Sequence, residues 1–144
     1  MDTLTGCQVL KKDGKLKNAE DILNPKITTV IYLFTAGHVT GRDIVLKTLK
    51  KVYHESKRRG GSWEVFFVSS DKSEEAFKAE FFSDKHGNWY ALPYNDPRCE
   101  ELRYKYNISS LPNVVVVRTD GEVVTLNGRE DLESIGINVI VTWG

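Results

Sequence analysis

ITTVIYLFTAGHVTGRDIVLKTLKKVYHESKRRGGSWEVFFVS, residues 27–69, decides the fold. It opens on Ile27 to Phe34, a near-continuous apolar and β-branched run. Such a run suits a strand buried on both faces, as in a parallel sheet. Ala36-Gly37 breaks it, and a helix is expected to begin near Gly41 to Asp43. Val45, Leu49, Val52 and Tyr53 then recur at helical spacing, as far as about Lys57. Gly60-Gly61 stops the helix, because glycine takes up the left-handed conformation of a helix end without a side-chain clash. Trp63 to Ser69, WEVFFVS, reads as a second buried strand. Strand, helix and strand of these lengths predict a right-handed crossover, about 27–69, between parallel strands.

Upstream, residues 7–18 (CQVLKKDGKLKN) read as a short hairpin turning at Asp13-Gly14, and Ala19 to Leu23 as a helical turn before Asn24-Pro25. Downstream, a helix over about 73–82 is capped by Asp71 or Ser73 and carries Phe77, Phe81 and Phe82. His86 to Asn95 reads as irregular and aromatic-rich. Asp96 followed by Pro97 is an N-cap and first-turn pair that opens a helix over about 97–106. Cys99, Leu102 and Tyr106 share one face of it, which makes Cys99 a packed core thiol. Asn113 to Arg118 and Glu122 to Leu126 form a hairpin, about 113–126, around Asp120-Gly121. A closing helix is expected over about 131–135. The apolar, β-branched end from Val139 to Trp143 reads as a shortened or strand-like terminus, or as a surface that packs on a partner. The element order predicts one α/β domain over residues 1–144, a mixed sheet with helices on both faces.

The chain carries 20 basic and 20 acidic residues, so no net field favours nucleic acid or a membrane surface. Lys57-Arg58-Arg59 falls where a helix should end, a place where the helix dipole favours cations. No run approaches the roughly 20 apolar residues of a membrane span. Met1 to Lys12 lacks the basic-then-apolar order of a signal peptide, so a cytoplasmic location is expected, with the nucleus also open. In such a compartment the two cysteines, Cys7 and Cys99, stay reduced. Neither has metal-ligand spacing with His38, His54 or His86, so no metal and no cofactor is expected. The oligomeric state is not legible.

Three ordered segments carry a family likeness: WEVFFVSSDKSEEAF (63–77), HGNWYALPYNDPRCEELRYKYNISSLPNVVVV (86–117) and DGEVVTLNGRE (120–130). They resemble nucleoredoxin and tryparedoxin-type thioredoxin-fold proteins, and most of all the nucleoredoxin-like group that includes the rod-derived cone viability factors. The resemblance covers roughly Ile27 to Glu130 and implies a thioredoxin-like three-layer sandwich. It also implies that Ile108-Ser109-Ser110-Leu111-Pro112 is the family's cis-proline turn, which lies against the active-site helix and offers the backbone of Leu111 to an extended peptide. An X-Pro bond adopts the cis form at small cost. Read without the resemblance, Pro112 is a trans proline opening a strand. Tyr32, Phe34, Arg42 and Asp43 align with the strand and helix around the family's CxxC motif. That motif falls on His38-Val39-Thr40-Gly41. Its chemistry needs a thiolate and a resolving thiol at a helix N-terminus. Neither His38 nor Gly41 supplies one.

His38 has Thr40 nearby but no positioned acid, serine or second ligand, so it reads as a partner contact rather than a catalyst. Trp63 opens a buried strand and belongs to the core. Trp89 and Tyr90 lie in the irregular segment and read as recognition aromatics beside the groove, with core packing as the alternative. Cys7, near the N-terminus, reads as an exposed thiol open to oxidation. The first functional expectation is a redox-inactive module with a signalling or trophic role. It would hold a protein or extended peptide through His38, Thr40, Leu111, Pro112 and Trp89, by strand addition at Leu111. The alternative is a thiol-disulfide oxidoreductase acting through Cys7 or Cys99. A third is a scaffold with a vestigial groove, marked by a large apolar patch elsewhere.

Overall fold

The computed structural model describes Leu4 and residues 6–144. Met1, Asp2, Thr3 and Thr5, on which part of the reading of Met1 to Lys12 rests, lie outside the described residues. In chain order the elements are β1 (Gln8–Leu10), β2 (Leu16–Asn18), α1 (Ala19–Ile22), β3 (Thr29–Thr35), α2 (Arg42–Arg58), β4 (Trp63–Ser69), α3 (Glu74–Phe81), β5 (Tyr90–Ala91), α4 (Pro97–Lys105), β6 (Asn113–Arg118), β7 (Val123–Thr125), α5 (Gly128–Ile135) and α6 (Val139–Trp143). The strands form one mixed sheet in the order β2-β1-β5-β4-β3-β6-β7. β3 pairs in parallel with β4, and β4 with β5; the remaining pairings are antiparallel.

Every residue of β3 and β4 is buried, because helices cover both faces of the sheet. Alternation along β3 divides the core. Ile31 and Leu33 pack under α2, α3, α5 and α6, while Val30, Tyr32 and Phe34 pack under α1 and α4. The helix ends follow local chemistry. Ser73 Oγ accepts the Ala76 amide at 3.1 Å and starts α3; Asp96 Oδ1 accepts the Arg98 amide at 2.9 Å and starts α4. Gly60, at φ +79°, follows α2 in the left-handed conformation.

Three elements differ from expectation. The segment read as irregular contains β5, whose two residues pair with Phe66 and Phe67 but are too few to display a period. α5 begins at Gly128, earlier than expected. There the helix crosses β6 so closely that a Cβ would lie 2.8 Å from Val114 Cγ1. The terminus Val139–Trp143 is a helix, not a strand-like end, and it covers the chain's own core instead of awaiting a partner. Trp143 is fully buried with its ring 5.6 Å from that of Trp63. Its indole N–H donates to Asp131 Oδ2 at 3.0 Å, and its carbonyl accepts from Arg118 Nη1 at 2.6 Å. Tertiary burial overrides the modest helix propensity of its valines, isoleucine and threonine. Among the described residues no helix is long and apolar enough to cross a membrane.

Candidate binding groove at the start of the central helix

β3 delivers the chain to the start of α2 through a tight loop. The Val39 amide bonds the Ala36 carbonyl at 3.1 Å, and the Gly37 amide donates to Asp71 Oδ1 at 2.8 Å. Asp71 is itself fixed, its other oxygen accepting the Ser69 hydroxyl at 2.5 Å. The loop holds His38 and Thr40 exposed and Val39 half-buried. Gly41 caps α2 at φ +84°, a left-handed conformation that side-chain-bearing residues rarely adopt. Position 41 is therefore built for glycine.

β6 pairs with β3 so that Asn113 faces Phe34. The Leu111–Pro112 turn thus leads into β6 beside the end of β3, just before the loop. The Leu111–Pro112 bond is cis. Pro112 is buried, so its ring is not a contact surface; Leu111 is half-buried. The Leu111 amide and carbonyl take no part in a backbone hydrogen bond among the described residues. Beside this turn, Ser110, Pro112 and Arg129 line a cleft of about 310 Å³. Arg129 reaches from α5 toward the loop: a Cβ added at Gly41 would stand 3.9 Å from its Nη2. Sequence reasoning quoted Arg129 within a family segment but gave it no role, since only the α5 crossing brings it here.

On the other side of His38, a cleft of about 590 Å³ runs to α3, with Arg42, Asp71, Lys72 and Glu80 in its walls. Glu80 Oε2 accepts from Arg42 Nε at 3.1 Å and from His86 Nε2 at 3.1 Å. His86 Nδ1 accepts the Trp89 indole N–H at 3.2 Å, so the ring proton sits on Nε2 and points at Glu80. Burial lowers the His86 pKa, against a smaller raising by Glu80. Burial opposes the Glu80 carboxylate, but the hydrogen bonds and charges of His86 and Arg42 outweigh it and bring it to about 2. This network braces the start of α2 against α3.

Trp89 belongs to that brace, not to the groove. It is 1 % exposed, packed edge-on to Tyr53 and His86, which corrects its expected place among the peptide contacts. Cys7 is corrected as well: it is 1 % exposed, its thiol directed at the Gln8 carbonyl at 3.3 Å. Burial, then the Asp96 charge, raises its pKa against a smaller lowering by Arg98. Burial likewise pushes Cys99 up to about 11. Both thiols are free and lie in the core under α1 and α4, across the sheet from α2. Among the described residues no group of three or more His, Cys, Asp or Glu is arranged to hold a metal ion.

The pattern of a family described as thioredoxin-like matches residues 27–123. A probable nucleoredoxin 3 of Oryza sativa subsp. japonica is 31% identical over 138 residues, which are 92% of this chain and 28% of that protein. Nucleoredoxin of Mus musculus is 38% identical over 87 residues, 60% of this chain and 19% of that protein. This chain thus spans less than a third of the length of these two relatives. Among solved structures, a thioredoxin from Wuchereria bancrofti superposes with a TM-score of 0.82 at 30% identity, covering 97% of this chain and 95% of the other. Thioredoxin related protein 16 of Carcinoscorpius rotundicauda, described with a role in regulating NF-kB activity, gives 0.81 at 29%, covering 99% of each. Tryparedoxin I of Crithidia fasciculata shares the fold, with a TM-score of 0.80 at 22% identity over 94% and 91% of the two chains.

Proposed function

The chain belongs to the thioredoxin-like family and is related to the nucleoredoxins, and from that premise we propose that it is a redox-inactive binding module. Its former active-site groove holds an extended peptide. The observation that carries this reading is where the thiols are. The groove has His38 and Gly41 where a dithiol would act, and the only two cysteines are buried across the sheet. A buried thiol with a raised pKa supplies little thiolate. The backbone edge for capture persists: Leu111 has a free amide and carbonyl with which an extended peptide pairs as an added strand. His38 and Thr40 meet that peptide's side chains from the opposite wall. Within the family we place the chain nearest nucleoredoxin-like protein 2, on the segment His86 to Pro97. A signalling or trophic role in the cytoplasm or nucleus follows from that placement. The regulatory role named for the horseshoe-crab relative is of the same kind.

The test is disulfide reductase turnover on insulin and on a glutathionylated peptide. Wild type is run beside Cys7→Ser/Cys99→Ser and beside His38→Cys in that serine background. We expect no turnover in the first two and mixed-disulfide capture of the glutathionylated peptide in the third, where an exposed thiol has been placed at a helix N-terminus. His38→Cys is the better restoration than Gly41→Cys, since φ +84° penalises any side chain at 41. Turnover in wild type that disappears in the double serine variant overturns the reading in favour of an oxidoreductase with a relocated thiol.

A further inference from the structure

We propose that the outer face of α2 is a docking surface for an acidic, partly apolar polypeptide segment, separate from the Leu111 edge. A groove of about 490 Å³ runs along α2 beside the Asp84-Lys85 loop. Lys47, Lys50, Lys51, His54 and Lys85 line it, against the carboxylates of Asp43 and Asp84. Two of the cations are engaged: Lys50 Nζ donates to the Asp84 carbonyl at 2.5 Å and Lys85 Nζ pairs with Asp43 at 3.3 Å. Lys47 and Lys51 are exposed, and neither makes a hydrogen bond or ion pair among the described residues. A chain with no net charge thus concentrates unneutralised positive charge on one helix face.

The groove also offers apolar contact. Leu46 lies in its floor but is 1 % exposed, so the apolar contact comes from Ile44 beside the groove, 65 % exposed on the same row of the helix as Lys47 and Lys51. From Asp43 to His54 the helix rises about 16 Å, the length of roughly five residues of extended peptide. A nucleic acid is the poorer occupant. Its phosphates would meet Asp43 and Asp84, and the exposed Ile44 would face no complementary surface. In a peptide, carboxylates would meet Lys47 and Lys51, an apolar side chain would cover Ile44, and backbone amides would meet Asp43 and Asp84. Charge complementarity of this kind mainly governs association and partner choice, and it weakens with salt.

Fluorescence anisotropy tests this on the full chain. The probe is a fluorescein-labelled peptide in which Glu alternates with Leu or Gly; a Lys-for-Glu counterpart and a single-stranded DNA oligonucleotide serve as comparisons. We expect saturable binding of the acidic peptide at about 50 mM salt that declines by physiological ionic strength. Lys47→Glu/Lys51→Glu weakens it roughly tenfold. Lys47→Gln/Lys51→Gln weakens it less, which separates lost charge from misfolding. Lys26→Glu/Lys105→Glu, with Lys105 on the other face of the sheet, leaves it unchanged. Absence of saturable binding, equal weakening by both reversals, or tighter binding of the oligonucleotide than of the acidic peptide would each overturn the proposal.

Discussion

Glu80 lies on the apolar face of α3 with Phe77 and Phe81, at helical spacings that put all three on one stripe. The sequence reading marked only the phenylalanines of this helix and passed over Glu80, whose partners come from α2 and from the loop after α3. An ordinary Glu titrates near 4.3, whereas in the fold Glu80 titrates at about 2. Between those values the unfolded chain holds the extra proton. The stabilisation from Glu80 is thus complete above about pH 5 and is lost as the pH falls toward 2, on the order of 3 kcal/mol in all. His86 adds to the same trend: burial lowers its pKa, so its share is lost as the pH drops below about 6.5. Urea denaturation across this range should show a flatter acid limb for Glu80→Gln than for wild type. At neutral pH the variant should be less stable by about 2 kcal/mol, because Arg42 loses the buried carboxylate at its Nε and keeps only the more distant Asp43. Equal slopes would remove Glu80 from this role. Gly41 teaches a similar lesson. The sequence displays a glycine at 41, but the left-handed cap it makes is a backbone property that residue identity alone does not reveal. Gly41→Ala should cost about 1 kcal/mol by the same denaturation, and no loss would mean the loop relaxes freely.

At the scale of elements, β3 and β4 were readable because their apolar runs reflect burial on both sides, and α3 and α4 because Ser73 and Asp96 are strong caps. α6 was not readable, since five apolar and β-branched residues specify burial without specifying conformation. Its conformation is set by where its anchors are: Asp131 on α5, Arg118 on β6 and the Trp63 ring on β4. None is near it in sequence except Asp131. Trp143→Ala should therefore destabilise the whole domain by about 3–5 kcal/mol, as for other fully buried aromatics. Trp143→Phe should recover much of the packing but leave Asp131 without the indole donor. Should Trp143→Ala unfold at the wild-type urea midpoint, α6 would be a dispensable appendage and the partner-packing expectation would return.

For the whole molecule, the sheet is a partition. α2 packs on one face, and Cys7 and Cys99 lie in the core of the other, against which Leu111 also packs. The alternation of side chains along β3 enforces the separation, because Tyr32 and Phe34 point away from Leu33. The sequence yielded the fold class, and it marked Cys99 as core. It misplaced Cys7 and Trp89, because their burial depends on contacts between segments distant in the chain. The charge balance was similarly uninformative about pattern, since 20 cations and 20 anions give a net value but no map. If the partition holds, no thiol chemistry reaches the groove without unfolding. Reaction with a disulfide reagent such as DTNB at neutral pH should then be slower for both cysteines than for a free thiol by about a thousandfold or more. With urea, the onset of labelling should follow the unfolding transition read by tryptophan fluorescence. Rapid labelling of either cysteine in the folded chain would show that the α1 and α4 face opens locally. That would bring a reactive thiol within reach of substrates and give the oxidoreductase alternative a route that the static fold denies it.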